Sequence, residues 1–331
     1  MQPTSRMTYR ALRDLVDKQA SFIVKNQLPS GAIPWYRGGV TDPWDHVEAA
    51  IALDLAGRYS ESAAAYGWSR DMQNLDGSWY SSYLNDQPQE WVRDTNFAAY
   101  IASGTWLNYM ATGNVAFLRE MWPTVEKGIE FALGLQRPTG EVSWALSEKG
   151  NAWPGAILTS CCCIWRSIQS ALSIAQVLGK DMPHWQGAAD RLLKAIKEYP
   201  EVFDRMGENK RRYAMNWFYP VLTGVLTGNK ARRHIEREWN DLVLDGWGCR
   251  VAADEDVTAV AETSELIIAL CLCGQHDKAA LLLDWTLRIQ DDDPGFPRGI
   301  KLPEREECPA GERATWTSAA LIMAIAAMAR T

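Results

Sequence analysis

Four turns in this chain share one wording: Gln27-Leu-Pro-Ser-Gly-Ala-Ile-Pro-Trp35, Gln73-Asn-Leu-Asp-Gly-Ser-Trp79, Gln136-Arg-Pro-Thr-Gly-Glu-Val-Ser-Trp144 and Gln290-Asp-Asp-Asp-Pro-Gly-Phe296. Each follows a segment with charges on one side and Leu, Ile, Phe or Trp on the other. Such segments run roughly 8–26, 60–73, 114–135, 185–198, 230–243 and 275–290. Between them lie apolar segments at 42–56, 94–112, 159–178, 214–227, 260–273 and 314–329, rich in Ala, Leu, Ile and Gly and nearly free of charge beyond their first turns. An amphipathic helix faces solvent, and a helix apolar on all sides must be enclosed. Six of each in alternation, with repeated turns and no convincing strand signals, predict six helical hairpins closed into a ring. The expected fold is all-α, an (α/α)6 toroid with inner and outer helix rings. It should be a single domain over 1–331, because its core lies between two concentric layers.

Composition narrows the function. A net charge of -7 argues against nucleic acid, which needs a basic surface. No apolar run reaches the ~20 residues of a membrane span, and the first 25 residues lack the order of a signal peptide. The chain reads as cytoplasmic. Its 7 Cys include no CxxC pair and its 4 His show no ligand spacing, so no metal, cofactor or disulfide framework is expected, and buried thiols are the plain reading. No protein partner is predicted. The partner expected is a small molecule, a sugar or an isoprenoid. The 16 Trp exceed what a core needs and suggest aromatic walls around a site.

In a ring, the first turns of the inner helices converge on the axis at one end, and their dipoles favour anions there. The first inner helix opens Thr41-Asp-Pro-Trp-Asp-His-Val-Glu48. Asp42 is a good N-cap before Pro43, whereas Trp44, Asp45, His46 and Glu48 are denser in polar groups than capping requires. Asp94, between Arg93 and Asn96, is either another cap or a site carboxylate. Glu262 lies in an otherwise apolar helix and must be paired, protonated or facing the cavity. Glu312 opens the last inner helix. We therefore take Asp45, Asp94, Glu262 and Glu312 as candidate catalytic carboxylates. Trp35, Tyr36, Trp44, His46, Glu48, Arg93, Asn96, Trp144, Trp217, Tyr219 and Trp316 are candidate substrate contacts. Paired carboxylates are what glycosidic cleavage uses, and flat aromatic faces suit either sugar rings or a carbocation.

The turns and ring pattern resemble two groups of toroids, the squalene-hopene cyclases with the protein prenyltransferases, and the six-hairpin glycosidases, glucoamylase-like enzymes among them. Gly31-Ala-Ile-Pro-Trp35, Thr41 to Glu48, Asp94-Thr-Asn96, Trp122-Pro-Thr-Val125 and Glu312-Arg-Ala-Thr-Trp316 look like bacterial proteins labelled prenyltransferase-like. The cyclase resemblance implies an Asp-x-Asp-Asp motif, and Asp254-Glu255-Asp256-Val257 lacks its last acid. The prenyltransferase resemblance implies an Asp, Cys and His zinc set, for which no His here has the neighbours. The glucoamylase resemblance implies a general base at Glu304, in Leu302-Pro-Glu304. Three readings remain open: a carbohydrate- or glycoconjugate-acting enzyme, glycoside hydrolase-like and inverting; a terpenoid cyclase-like or prenyltransferase-like enzyme with a diverged acid motif; or a non-catalytic binding toroid.

Overall fold

The computed structural model describes residues 9–205 and 210–329. Among these residues are twelve α-helices in strict alternation. The inner ring is α2 (Pro43–Leu55), α4 (Thr95–Thr112), α6 (Leu158–Val177), α8 (Ala214–Leu222), α10 (Val260–Leu272) and α12 (Thr315–Ala329). Each packs on the next, and α12 returns to α2, so the ring closes. The outer ring is α1 (Tyr9–Asn26), α3 (Tyr59–Met72), α5 (Val115–Leu133), α7 (Pro183–Glu198), α9 (Gly228–Leu242) and α11 (His276–Leu287). The fold is the all-α (α/α)6 toroid that the alternation predicts. Inner helices bury alanines flush against one another, as at Ala49, Ala50 and Ala52, all 0% exposed, so six helices fit around one axis. α8 stops at Leu222, short of the expected 227, where Gly224 takes a left-handed φ of 82°.

The shared turns have one physical cause. Gln27 Nε2 donates to the carbonyl of Gly31 in its own turn and to that of Glu61 on the next outer helix, both at 2.9 Å. Gln73 does the same to Gly77 and Thr124 at 3.0 and 2.9 Å, and Gln136 to Gly140 and Ala188 at 2.9 Å each. One amide thus ties each outer helix end to its neighbour. The glycine is required twice over: Gly77 has φ +92°, and a Cβ there would lie 2.2 Å from the Lys127 carbonyl oxygen. At the fourth turn Gln19 of α1 donates to the Pro294 carbonyl at 3.1 Å and closes the ring.

The sequence showed no strands, yet the loops at one end carry short antiparallel ladders. They are β1 (Ser82–Leu84) with β2 (Gln87–Glu90), β3 (Arg93–Asp94) with β4 (Ala145–Leu146), β5 (Val243–Leu244) with β6 (Gly248–Cys249), and β7 (Val257–Ala259), β8 (Gly299–Lys301) and β9 (Glu306–Glu307) in one sheet. Runs of two to four residues have too little period to announce themselves, but backbone groups crowded over a ring mouth still need partners. Six of the seven cysteines are buried, behaving as small core residues. Among the described residues no helix is long and apolar enough to cross a membrane.

Candidate active site

The inner helices start at the end that carries the ladders, and two of them are capped in the same way. Asp42 accepts from the backbone N–H groups of Trp44 and Asp45 at 2.8 and 3.0 Å. Asp94 accepts from Asn96 and Phe97 at 2.7 and 3.3 Å. Both are held above the usual carboxylate range. Burial pushes Asp94 up to about 7, against the pull of the two N–H donors and the Trp144 indole. Asp42 is raised well above the usual range by burial and then by the charge of Asp45, with Asp94 adding to it.

Asp45, the third residue of α2 and two beyond its proline, faces the axis. Burial lifts it to about 7, the Trp35 indole and the Arg298 charge pull it down, and the Glu262 charge pushes it up. Trp35 is fixed there because α12 holds its loop: Thr315 N donates to the Trp35 carbonyl and Thr315 Oγ1 to the Pro34 carbonyl, both at 2.7 Å. Glu262 is raised by burial and lowered by Arg298, and its Oε2 has no protein partner among the described residues. Asp45 on α2 and Glu262 on α10 therefore share one guanidinium while belonging to helices that are not neighbours in the ring. Arg298 itself pairs with Glu312 at 2.8 Å and lies 5.3 Å over the Trp316 ring.

One helical turn deeper the arrangement repeats, since Glu48 is three residues beyond Asp45 and Glu265 three beyond Glu262. Tyr100 of α4 donates to Glu48 at 3.2 Å, and Tyr219 of α8 donates to Glu265 at 2.6 Å. Burial and the charge of Asp45 push Glu48 up to about 8. Glu265 is raised well above its usual value by burial, then by Glu48. Trp44 sits beside this group, its ring 5.9 Å from Tyr100 and 6.1 Å from Tyr219. Beyond it a cavity of about 420 Å³ runs toward the helix C-termini, walled by residues of all six inner helices.

The ring thus brings together Trp35, Trp44, Asp45, Glu48, Asp94, Trp144, Tyr219 and Glu262, with Glu312 and Trp316 joined through Arg298. Asn96 is 0% exposed, and neither amide atom has a protein partner among the described residues. Other expected contacts lie elsewhere. His46 faces outward: its Nδ1 accepts from Ile33 N at 3.0 Å, its Nε2 bonds the Ala65 carbonyl at 2.9 Å, and burial holds it down to about 4, so it is a neutral strut between α2 and α3. Trp217 also faces outward, donating to the His234 carbonyl on α9 at 3.2 Å. Tyr36 is 41% exposed on the outer rim. Arg93 is engaged by Asp76 at 2.7 Å. Glu304 is exposed between β8 and β9. Asp254, Glu255 and Asp256 form surface ion pairs with Arg212 and Arg250, away from the axis.

Two axial residues escaped the sequence reading. Tyr100 lies within an apolar helix, where one more aromatic carries no signal. Arg298 follows the fourth shared turn, and treating the ends of those turns as site walls, as for Trp35, would have found it.

No family model matches the chain. Solved structures with the same ring are a glycosidase in complex with glucose, with a TM-score of 0.77 and 12% identity over 98% of this chain and 99% of that one, and a D-mannose isomerase, with 0.76 and 10% over 100% of both. At such identities they speak for the fold. An uncharacterized glycosyl hydrolase of Methanocaldococcus jannaschii is 29% identical over 130 residues, 38% of this chain and 20% of its own. The MMP endo-(1,4)-3-O-methyl-alpha-D-mannosidase of Mycolicibacterium hassiacum is 41% identical over 312 residues, covering 94% of this chain and 85% of the relative. None of these four carries a prenyltransferase or cyclase resemblance. With carboxylates gathered on the axis of a glycosidase ring, this chain is a glycoside hydrolase-like enzyme and belongs to the family of that mannosidase.

Proposed function

We propose that the chain cleaves internal α-(1,4) bonds in mannose chains that carry 3-O-methyl groups, with Asp45 as general acid and Glu262 as general base. The observation that carries this reading is the pair itself: two carboxylates from α2 and α10, facing the same axis and the same Arg298. The charge of Glu262 helps Asp45 keep its proton, to about 7, near where a general acid works best. Asp45 then delivers its proton to the glycosidic oxygen as the bond to the anomeric carbon breaks. Glu262 takes a proton from a water whose oxygen forms the new bond from the opposite face. That order inverts the anomeric centre and needs about 6.5–9.5 Å between the carboxyls, which helices two places apart in the ring can give. Asp94, Asn96, Trp144, Trp35 and Trp44 are assigned to sugar contacts, and Glu312 to holding Arg298.

In this reading the whole ring is one catalytic domain, because α12 packs on both α1 and α2. Free, buried thiols support a reducing compartment such as the cytoplasm. An isoprenoid substrate loses its support with Asp254 to Asp256 tied up in surface ion pairs. The test is incubation with a 3-O-methylated α-(1,4)-mannooligosaccharide and mass analysis of the products. Internal fragments are expected; an intact chain, or release of terminal monosaccharide alone, would reject the assignment.

A further inference from the structure

An enzyme that cuts within a polymer must hold residues beyond the bond it breaks, and the front rim offers an unexplained surface for that. Trp91 is 50% exposed and Leu75 99% exposed, both on the loops leading into α4. Trp91 is nevertheless fixed. Ser81 N bonds the carbonyls of Glu90 and Val92, on either side of it, at 3.2 and 2.9 Å, and Ser81 Oγ adds a bond to Val92 at 2.8 Å. Tyr80 meets the Trp91 ring edge-on at 4.8 Å. The turn bearing Leu75 is tied to the same strip of chain, since Asp76 pairs with Arg93 at 2.7 Å. Along an extended chain Trp91 and Arg93 point to one side and Asp94 to the other. Trp91 is thus a rigid, solvent-facing aromatic beside a charged pair, within ~10 Å of chain from Asp94, a reach of roughly two sugar residues.

A large aromatic held rigidly half in water, apolar in its body and polar at its N–H, offers a face for a ligand. Any hexose can stack its C–H face on such a ring, and an O-methylated one adds a methyl group for the ring to cover. We propose that Trp91, backed by Tyr80 and two residues before Arg93, is an outlying subsite that recognises an O-methylated sugar of the chain being cut, and so sets preference for methylated substrate. The aromatic face covers the methyl. This rests on the substrate class proposed above.

The experiment compares kcat/KM of wild type, Trp91→Ala and Trp91→Phe on two α-(1,4)-mannooligosaccharides of equal length, one 3-O-methylated and one not. Each methyl taken from water is worth about fourfold, so Trp91→Ala should lower the preference for the methylated chain at least that much, chiefly through KM. Trp91→Phe should keep most of it. Being exposed, Trp91 can be replaced without loss of core, and an unchanged unfolding temperature checks this. If wild type cleaves both chains and Trp91→Ala keeps the same preference, the subsite is overturned while the enzyme assignment stands. If wild type cleaves neither, both fall.

Discussion

Replacing Glu48 by Gln should make the protein more stable at alkaline pH and leave it nearly unchanged at mildly acidic pH. Glu48 is 7% exposed, and burial with the charge of Asp45 lifts it from an ordinary 4.5 to about 8. Its folded pKa is raised, so between pH 4.5 and 8 the folded chain holds a proton that the unfolded chain has released. Stability is therefore full below 4.5 and is lost as pH rises through 8. At about 1.4 kcal/mol per pH unit, a rise from pH 5 to 8 costs on the order of 4 kcal/mol for this one group. Asp45, Asp94 and Asp54, at about 7, 7 and 6, add losses of the same sign. Gln keeps an oxygen to accept the Tyr100 hydroxyl and cannot ionise. Urea unfolding followed by tryptophan fluorescence at pH 5 and pH 8 measures both forms. Wild type should lose midpoint sharply between the two, and Glu48→Gln should lose clearly less. A variant with the same loss as wild type would refute the reasoning, because Glu48 would then titrate alike in folded and unfolded chains.

Arg298→Met removes the charge that lowers both Asp45 and Glu262. Both carboxyls should titrate higher, so the bell-shaped profile of kcat/KM should move to higher pH; a profile that stays in place would remove Arg298 from the site. Gly77→Ala meets the Lys127 carbonyl oxygen at 2.2 Å, whereas Gly113→Ala, also left-handed at φ +69°, meets open space. Thermal unfolding should show Gly113→Ala losing only the ~1–2 kcal/mol of a left-handed backbone, and Gly77→Ala clearly more. Equal losses would mean that the shared turn does not need its glycine for close approach.

The ring was legible because two periodicities alternate six times and the Gln and Gly positions repeat, so each hairpin corroborates the others. The carboxylates at inner-helix starts were legible for the same reason. Which side of a helix each first-turn residue takes was not. Asp45 and His46 are neighbours in sequence, yet they turn to the axis and to α3, since a helix rotates about 100° per residue. Trp217 and Tyr219 divide in the same way, one toward α9 and one toward Glu265. Glu312 was a candidate catalytic carboxylate, and its partner, Arg298, lies 14 residues earlier across a loop. Spacing carries no trace of such pairs. The acids at 254–256, which resembled a cyclase motif, proved to be ion-paired surface groups for that same lack of local signal.

The central claim is that Asp45 and Glu262, on helices two places apart in the ring and both under the charge of Arg298, do the chemistry. Its most direct test is kcat/KM of Asp45→Asn and Glu262→Gln on a methylated α-(1,4)-mannooligosaccharide, with unfolding midpoints measured alongside. Both variants should fold as wild type does and each lose roughly 10²–10⁴-fold. A folded variant of either kind that keeps activity within tenfold of wild type would contradict the pair.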